Sequence, residues 1–431
     1  MRWMRGLDRD LAQEGLTFTR AFVSVPACCP SRATFFTGQY VHNHKVFYQN
    51  NHYVRGEHLG AYRAFGANGH EQDGLATRMS AAGYETSLVG KYINHYDSEN
   101  VPRGWDDWHA WVGAGGGKDG RMNENGRIVD HGDWSRENPG HTDLVSDRAT
   151  SFIKRSKAEP FMLVIPDKAP HAPAIPPRRH QDAFPKVRLP KGGSYNERDV
   201  SDKPRWVRRK ARLTSDEESR LRFIHRKRLQ SMLAVQDMVR RITAVLQRQG
   251  KLDNTYIMFT SDNGFHLGQH RLAQGKLSPY EEDVEVPFIV RGPGIKAGTK
   301  SGRLTSHTDI MPTILDLAGA EIPEEADGRS LKPVLEGETA EPRRSLLIEQ
   351  WKYPGGRAKH PPTYRAVRTA ANYKYVEYAN GEEELYNLRR DPHEMRNLAG
   401  KRPRLQRKLG NKLEELGKCS GGDCRTAESS P

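Results

Sequence analysis

Cysteine is scarce in this chain: four residues in 431, placed as Cys28 with Cys29 and as Cys419 with Cys424. That number excludes a disulfide-framed miniature scaffold, and no zinc-finger spacing occurs. Long apolar runs are missing as well; none approaches the ~20 residues of a membrane span, so no integral membrane protein is expected. The charged start, "MRWMRGLDRDLAQEG", has no apolar segment of the kind a signal peptide needs. Nothing beside the basic stretches resembles an aromatic-interleaved nucleic-acid module, so no nucleic-acid partner is expected. No internal repeat is apparent. The Gly-rich "VGAGGGKDGRMNENG" (112–126) fails as a phosphate cradle, because Lys118 precedes Asp119 rather than Ser or Thr and no strong strand leads into it. It reads as a loop.

What is present points to a soluble α/β protein. The length allows one large domain, or one large and one small, and 35% hydrophobic with 28% charged residues is ordinary for a globular chain. Net charge is +14, and residues 171–230 hold 17 Lys and Arg against 7 Asp and Glu. Such a stretch suits an anionic partner, whether polysaccharide, nucleic acid or membrane surface; the competing reading is a solvated insertion. Cys419 and Cys424, in "KCSGGDCR", read as a small terminal disulfide, which implies an oxidising compartment; two free thiols are the other reading. Cys28 and Cys29 are too close for an unstrained bridge. Something other than cross-linking must account for them.

Short apolar runs ending in turn or polar residues predict strands at "YETSLVGK" (84–91), "PFMLVIP" (160–166), "TYIMFTSDNG" (255–264) and "VPFIVRGPG" (286–294). Helical spacing of Leu229, Met232, Leu233, Met238, Val239, Ile242, Val245 and Leu246 predicts a helix over 226–249, closed by Gly250. "HTDIMPTILDLAG" (307–319) reads as another helix. Residues 176–217, rich in Pro, Arg and Lys, read as a long surface excursion. Two strand-like runs flank Asn380-Gly381, a hairpin signal.

Several predicted strands end in polar residues that would be wasteful in a core: Lys91, His171 beyond "MLVIPDKAP", and Asp262 with Asn263. Ligands gather at the C-terminal strand ends of parallel sheets, so these residues are expected to converge. Asp262 and Asn263 are hard oxygen ligands of the type Ca²⁺ or Mg²⁺ takes. Lysines and an arginine beside them suggest an oxyanion with several oxygens, a sulfate or a phosphate.

"CCPSRATFFTG" resembles the signature of the type I sulfatases, Cys-x-Pro-Ser-Arg followed by Thr-Gly, in which the first cysteine is oxidised to formylglycine. "YVHNH", "GKYINHY", "TYIMFTSDNGFHLGQ", "VPFIVRGPGI", "DIMPTILDLAG", "ELYNLRRDPHEMRNLA" and "CSGGDCR" are similar to the glucosamine-6-sulfatases and the related heparan 6-O-endosulfatases. The resemblance runs from about residue 16 to the C-terminus. It implies an alkaline-phosphatase-like α/β fold: a central mixed, mostly parallel sheet flanked by helices, with a small C-terminal antiparallel sheet. The expected domains are a catalytic one over 1–335 and a sheet-plus-helix subdomain over 336–431.

The resemblance also implies roles. Cys28 becomes formylglycine, whose hydrate offers one hydroxyl to attack sulfur and another to expel sulfate. Arg32 holds that group, Lys91 and Lys276 hold sulfate oxygens, and His171 protonates the leaving oxygen or orients the sulfate. Asp262, Asn263 and the Cys28 position would hold Ca²⁺, with Mg²⁺ the alternative, and His266 would contact substrate. The implied partners are a sulfated sugar or glycosaminoglycan and the formylglycine-generating enzyme, and the implied location of the complete protein is extracellular or periplasmic. Sulfatases open with a buried strand ending in two aspartates; this sequence starts at what looks like the following helix, so part of the metal site is expected to be missing. Asp8 and Asp10 lie on that helix and are not recruited. The expected activity is hydrolysis of the 6-O-sulfate of glucosamine-type sugars. The alternatives are a phosphodiesterase or phosphonate monoester hydrolase of the same superfamily, or an inactive, truncated anion-binding protein.

Overall fold

The computed structural model describes residues 3–113, 120–135, 140–156, 160–355 and 360–430. In chain order, β1 (Leu16–Phe18) and helix α1 (Cys28–Thr37) precede β2 (Glu85–Gly90), β3 (Asp107–Trp111), β4 (Arg121–Glu124) and β5 (Arg127–Asp130). Then come α2 (His141–Arg155), β6 (Phe161–Val164) and the long α3 (Ser215–Arg248). β7 (Ile257–Phe259), β8 (Phe288–Arg291), β9 (Thr299–Ser301) and α4 (Ile310–Ala318) complete the part that carries the site. The C-terminal part holds β10 (Ser345–Gln350), β11 (Tyr364–Thr369), β12 (Tyr373–Tyr378), β13 (Glu383–Asn387) and α5 (Pro403–Leu416).

All four apolar runs become strands, and they divide between two mixed sheets. One has the order β5-β4-β3-β2-β6, with β2 parallel to both β3 and β6; the other has the order β7-β8-β1-β9, with β1 parallel to β9. Helices α2 and α3 cover the first sheet. Phe152 and Ile153 of α2 and Val235, Met238, Ile242, Val245 and Leu246 of α3 pack with Val89 and Trp111. Each such side chain contributes roughly 1.5–3 kcal/mol by leaving water.

The facing edges, β6 and β7, have no strand partner on their outer sides among the described residues. Both line one cavity of about 1650 Å³. Phe161, Leu163, Val164, Ile257, Met258 and Phe259 are therefore only partly buried, although apolar runs of this type normally sit in a sheet interior. The chain continues from β2, β6 and β7 to Lys91, His171 and Asp262 at the same end of this cavity.

Three expectations need correction. The stretch 112–126 is not all loop: β4 lies within it, paired to β3 and β5, with Met122 and Asn123 fully buried. Residues 114–119, including Lys118, lie outside the described residues. Helix α3 begins at Ser215, earlier than expected. Thr214 caps it by accepting from Glu217 N at 3.2 Å, and Glu217 returns a bond to Thr214 N at 2.8 Å. That reciprocal box, with three acids in the first turn, stabilises the helix start.

The third concerns residues 176–217, which are mostly irregular, with short helical turns at Arg178–His180 and Arg205–Arg208, but are not merely a surface excursion. Val200, Trp206 and Val207 are buried against Tyr280, Leu346, Ile348 and Tyr378, so this segment joins the larger part of the chain to the C-terminal sheet. Several of its cations are internally neutralised. Arg179 pairs with Asp143 and Asp237, Lys191 with Glu218, and the fully buried Lys203 with Asp202 and Glu197.

Strands β10 to β13 form an antiparallel sheet, turning at Asn380-Gly381, where Gly381 adopts φ +80°. Helix α5 packs on it through Leu409, Leu413 and Leu416, and Cys419 is disulfide-bonded to Cys424. Buried Arg343 reaches both Asp309 and Glu428, tying this sheet to the start of α4.

Candidate active site

Helix α1 begins at Cys28, after Ala27 in extended conformation, and ends at Gly38, whose φ of +69° stops the helix. Pro30 is tolerated because the first helical turn needs no intrahelical N–H. Starting the helix here aims Cys28 and Arg32, one turn apart, at the same cavity. Cys29 points the other way, into a fully buried cluster with Ala33, Phe36 and Tyr92. Burial pushes its thiol up to about 12.

Around Cys28 the strand-end residues converge. Lys276 Nζ contacts Cys28 Sγ and donates to Asn263 Oδ1 at 3.0 Å. Arg32 Nε donates to Asp262 Oδ2 at 2.9 Å, and its Nη1 reaches the carbonyl oxygens of Lys91 and Tyr92. Lys91 is buried, and desolvation with the nearby Arg32 and Lys276 charges holds its pKa below the ordinary lysine value, against Cys28 and Asp262. Burial alone would raise Asp262, but Arg32, Lys276 and Lys91 overcome it and hold this carboxyl well below the usual range. Three fixed cations thus surround one carboxylate. The arrangement suits an incoming oxyanion.

His171 follows β6 and opens onto the cavity, its Nδ1–H donating to Ala172 O at 2.8 Å. That bond places the free lone pair on Nε2. Desolvation, with the charges of Lys276, Lys91 and Lys168, lowers the ring to about 4. His171 is therefore neutral near pH 7 while no anion is bound.

His266 sits differently. It is buried, its Nδ1 bonds both oxygens of fully buried Asp283 at 2.9 Å, and it is not among the residues lining the cavity. Asp283 also accepts from Ser278 N at 2.9 Å and Ser278 Oγ at 2.6 Å. Since His266 N donates to Gly275 O at 2.9 Å, the pair braces the segment that carries Lys276. Asp8 and Asp10 engage Gln13 and Arg9.

Three groups went unnoticed in the sequence. Lys168 lines the cavity, its pKa brought down to about 8 by burial and by Lys91. His307, behind α1, bonds Thr260 Oγ1 at 3.1 Å and Ser31 Oγ at 3.3 Å. Arg228 of α3 lines the same cavity. Lys168 had a signal, since it continues the same strand end as His171; the other two lie inside helical patterns that read as packing or solvated surface.

The two groups implied by the resemblance fare differently. Cys28, at a helix start and facing the cavity, has surroundings suited to a modified, reactive side chain. A closed Ca²⁺ site does not fit. Ca²⁺ takes six to eight oxygens, whereas this cluster supplies one carboxylate, bonded to Arg32, and one amide, bonded to Lys276.

Comparison with known proteins identifies the family. Residues 3–320 match the family model described as Sulfatase, and residues 268–418 match that described as N-sulphoglucosamine sulphohydrolase, C-terminal. The N-acetylglucosamine-6-sulfatase of Homo sapiens is 33% identical over 96% of this chain and 81% of its own length. A Sulf-1 homolog of Caenorhabditis elegans, described as an extracellular sulfatase, is 35% identical over 82% of this chain; the match spans about half (49%) of that relative. Among solved structures, BT4656 in complex with D-glucosamine-2-N,6-O-disulfate superposes with a TM-score of 0.81 at 25% identity, covering 99% of this chain and 94% of that one.

Proposed function

The chain belongs to the sulfatase family and has its alkaline-phosphatase-like fold, and on that premise we propose that it hydrolyses sulfate monoesters of sulfated glycans, specifically the 6-O-sulfate of N-acetylglucosamine or glucosamine units. The observation that carries this reading is the cradle at Cys28: a helix-initial cysteine facing a cavity, with Lys276 in contact and Arg32 and Lys91 beside it. The 6-O position is supported by the likeness to an N-acetylglucosamine-6-sulfatase and to a solved relative complexed with a 2-N,6-O-disulfated glucosamine.

Converted by a formylglycine-generating enzyme and hydrated, position 28 would supply a hydroxyl for attack at sulfur and a second one for sulfate release. Lys91 and Lys276 neutralise the sulfate oxygens as charge shifts onto them, a role in which one donor is worth about 10²–10³ in rate. Arg32 is held rigid by Asp262 and two carbonyls, which fixes the orientation of the turn bearing Cys28. His171 Nε2 faces the cavity with its lone pair free to take a proton. A bound sulfate offsets the three nearby lysine charges and favours the protonated ring, which can then donate to the leaving sugar oxygen. His266 and Asp283 position Lys276 rather than touching substrate. Asp262 and Asn263 are the proposed metal-facing groups, and in this structure Asp262 accepts from Arg32 and Asn263 from Lys276.

The Cys419–Cys424 disulfide supports an oxidising, extracytoplasmic location, and no helix among the described residues is long and apolar enough to cross a membrane. The test is the ratio of kcat/KM for an aryl sulfate to that for an aryl phosphate diester, measured on protein with Cys28 converted. The sulfate is expected to be the better substrate. The reverse order would replace this reading with the phosphodiesterase or phosphonate hydrolase alternative.

A further inference from the structure

Helix α3 places Arg220, Ile224 and Arg228 four residues apart, hence along one face, with Lys227 at its margin, and all four line the cavity that holds Cys28. Arg228 is the most constrained of them. Its Nη1 donates to Pro170 O at 2.9 Å, and its guanidinium carbon lies 3.8 Å from the centroid of the Phe265 ring. Pro170 immediately precedes His171, and Phe265 follows Asn263 by two residues. The guanidinium therefore bridges the two loops that furnish the site.

Among the described residues this cation has no counter-ion: no acid acts on it, and burial alone brings its pKa down to about 10, so it stays charged at neutral pH. Arg228 is partly buried, and a cation drawn out of water without an acid beside it carries a desolvation cost. Pro170 uses one of five N–H donors. A planar fork held between an aromatic ring and a carbonyl is pre-organised for two-point recognition of a carboxylate or a sulfate.

We propose that Arg228 receives a second oxyanion of the substrate, a carboxylate or sulfate on the same or the adjoining sugar, beyond the ester sulfate faced by Lys91 and Lys276. This rests on the sulfate-ester reading above, and it makes the site one for a substrate with at least two anionic groups. It also gives a specific use to part of the basic stretch, several of whose other cations are internally paired. Arg228 is a substrate-binding group, set on the cavity wall by Phe265 and Pro170.

The test compares binding by titration calorimetry, using protein expressed without the formylglycine-generating enzyme so that no turnover intervenes. The ligands are N-acetylglucosamine 6-sulfate, glucosamine 2-N,6-O-disulfate, and a 6-sulfated disaccharide carrying a uronate carboxylate; the last two distinguish the sources of the second charge. For the native chain, at least one of the two doubly anionic ligands should bind at least tenfold more tightly than the monosulfate, about 1.4 kcal/mol. In Arg228→Gln that ratio should fall below about twofold, and Arg228→Lys, which keeps the charge without the fork, should recover part of it. Arg228→Lys also decides the matter if Arg228→Gln does not fold. Equal weakening of all three ligands would mean that Arg228 only braces the loops and would overturn the proposal. So would an unchanged ratio in Arg228→Gln, or no ratio in the native chain. A preserved ratio in protein that, once converted, releases no sulfate would refute the sulfatase reading and leave Arg228 as an oxyanion receptor.

Discussion

Cys28 and Cys29 are neighbours in the chain with opposite surroundings: the Cys28 sulfur meets Lys276 at the cavity, while that of Cys29 lies wholly within the core beside Phe36 and Tyr92. Successive side chains of an α-helix diverge by about 100°, so a helix that begins at residue 28 can present only one of the two. The buried thiol, pushed up to about 12, stays protonated and inert. The pair is therefore one cavity-facing residue and one packing residue.

From this, Cys28→Ala should abolish sulfate release, whereas Cys29→Ala should retain it and lose about 1 kcal/mol of stability, the usual scale for a small core change. Modification should fall on Cys28 alone. The tryptic peptide from Ala21 to Arg32 should lose H₂S and gain one oxygen in mass, and fragmentation should locate the change at residue 28. Conversion at Cys29 would reverse the assignment.

Lys276 depends on a support that does not touch the cavity. Asp283 holds Ser278 and His266 on either side of the Lys276 segment. Lys276→Ala should lower kcat by about 10²–10³ with little change in folding stability. Asp283→Ala should instead destabilise the fold by roughly 3–5 kcal/mol, since it strands buried partners, and should raise KM in whatever folds. Denaturant melts and steady-state kinetics on the two variants separate these effects; similar behaviour of both would show that Asp283 does not act through Lys276.

His171 should titrate near 4 in the free protein, because desolvation and three lysines disfavour its protonated form. Its folded value lies below the ordinary one, so the unfolded chain binds this proton more readily. The contribution of His171 to stability is therefore lost as pH falls from about 6.5 towards 4. Adding inorganic sulfate should move the ring resonance titration upward by a unit or more, as an anion offsets the lysine charges. A titration that ignores sulfate would remove His171 from the anion site.

The strand ends were legible in the sequence because apolar runs stop abruptly at Lys91, Asp262 and Asn263, and the signature at Cys28 supplied the rest of the cluster. Other features carried no periodic signal. Strand β4 is four residues long and lies beside a glycine-rich stretch, too short for an alternating pattern to stand out. Arg228 sits in a run of basic residues that reads as solvated surface until Phe265 and Pro170 are seen against it. His266 looked like a substrate contact in one dimension and proves to face Asp283. Residues 176–217 bury isolated side chains from loops and from one helical turn, Arg205–Arg208, too short for any window of helix or strand spacing to detect.

That last segment offers a direct check of the packing. Trp206 is buried beside Tyr280, with ring centroids 6.3 Å apart. Trp206→Ala should cost about 3–5 kcal/mol, as for other large aromatic truncations in a core. A loss within about 0.5 kcal/mol, the scale of surface changes, would restore the segment to the surface.

The most direct measurement is release of inorganic sulfate from N-acetylglucosamine 6-sulfate by protein in which peptide mass has established conversion of Cys28. Saturable release that disappears in Cys28→Ala is the expected result. No release from the converted protein, or equal release from Cys28→Ala, would contradict the assignment of Cys28 as the reacting position of a sulfatase.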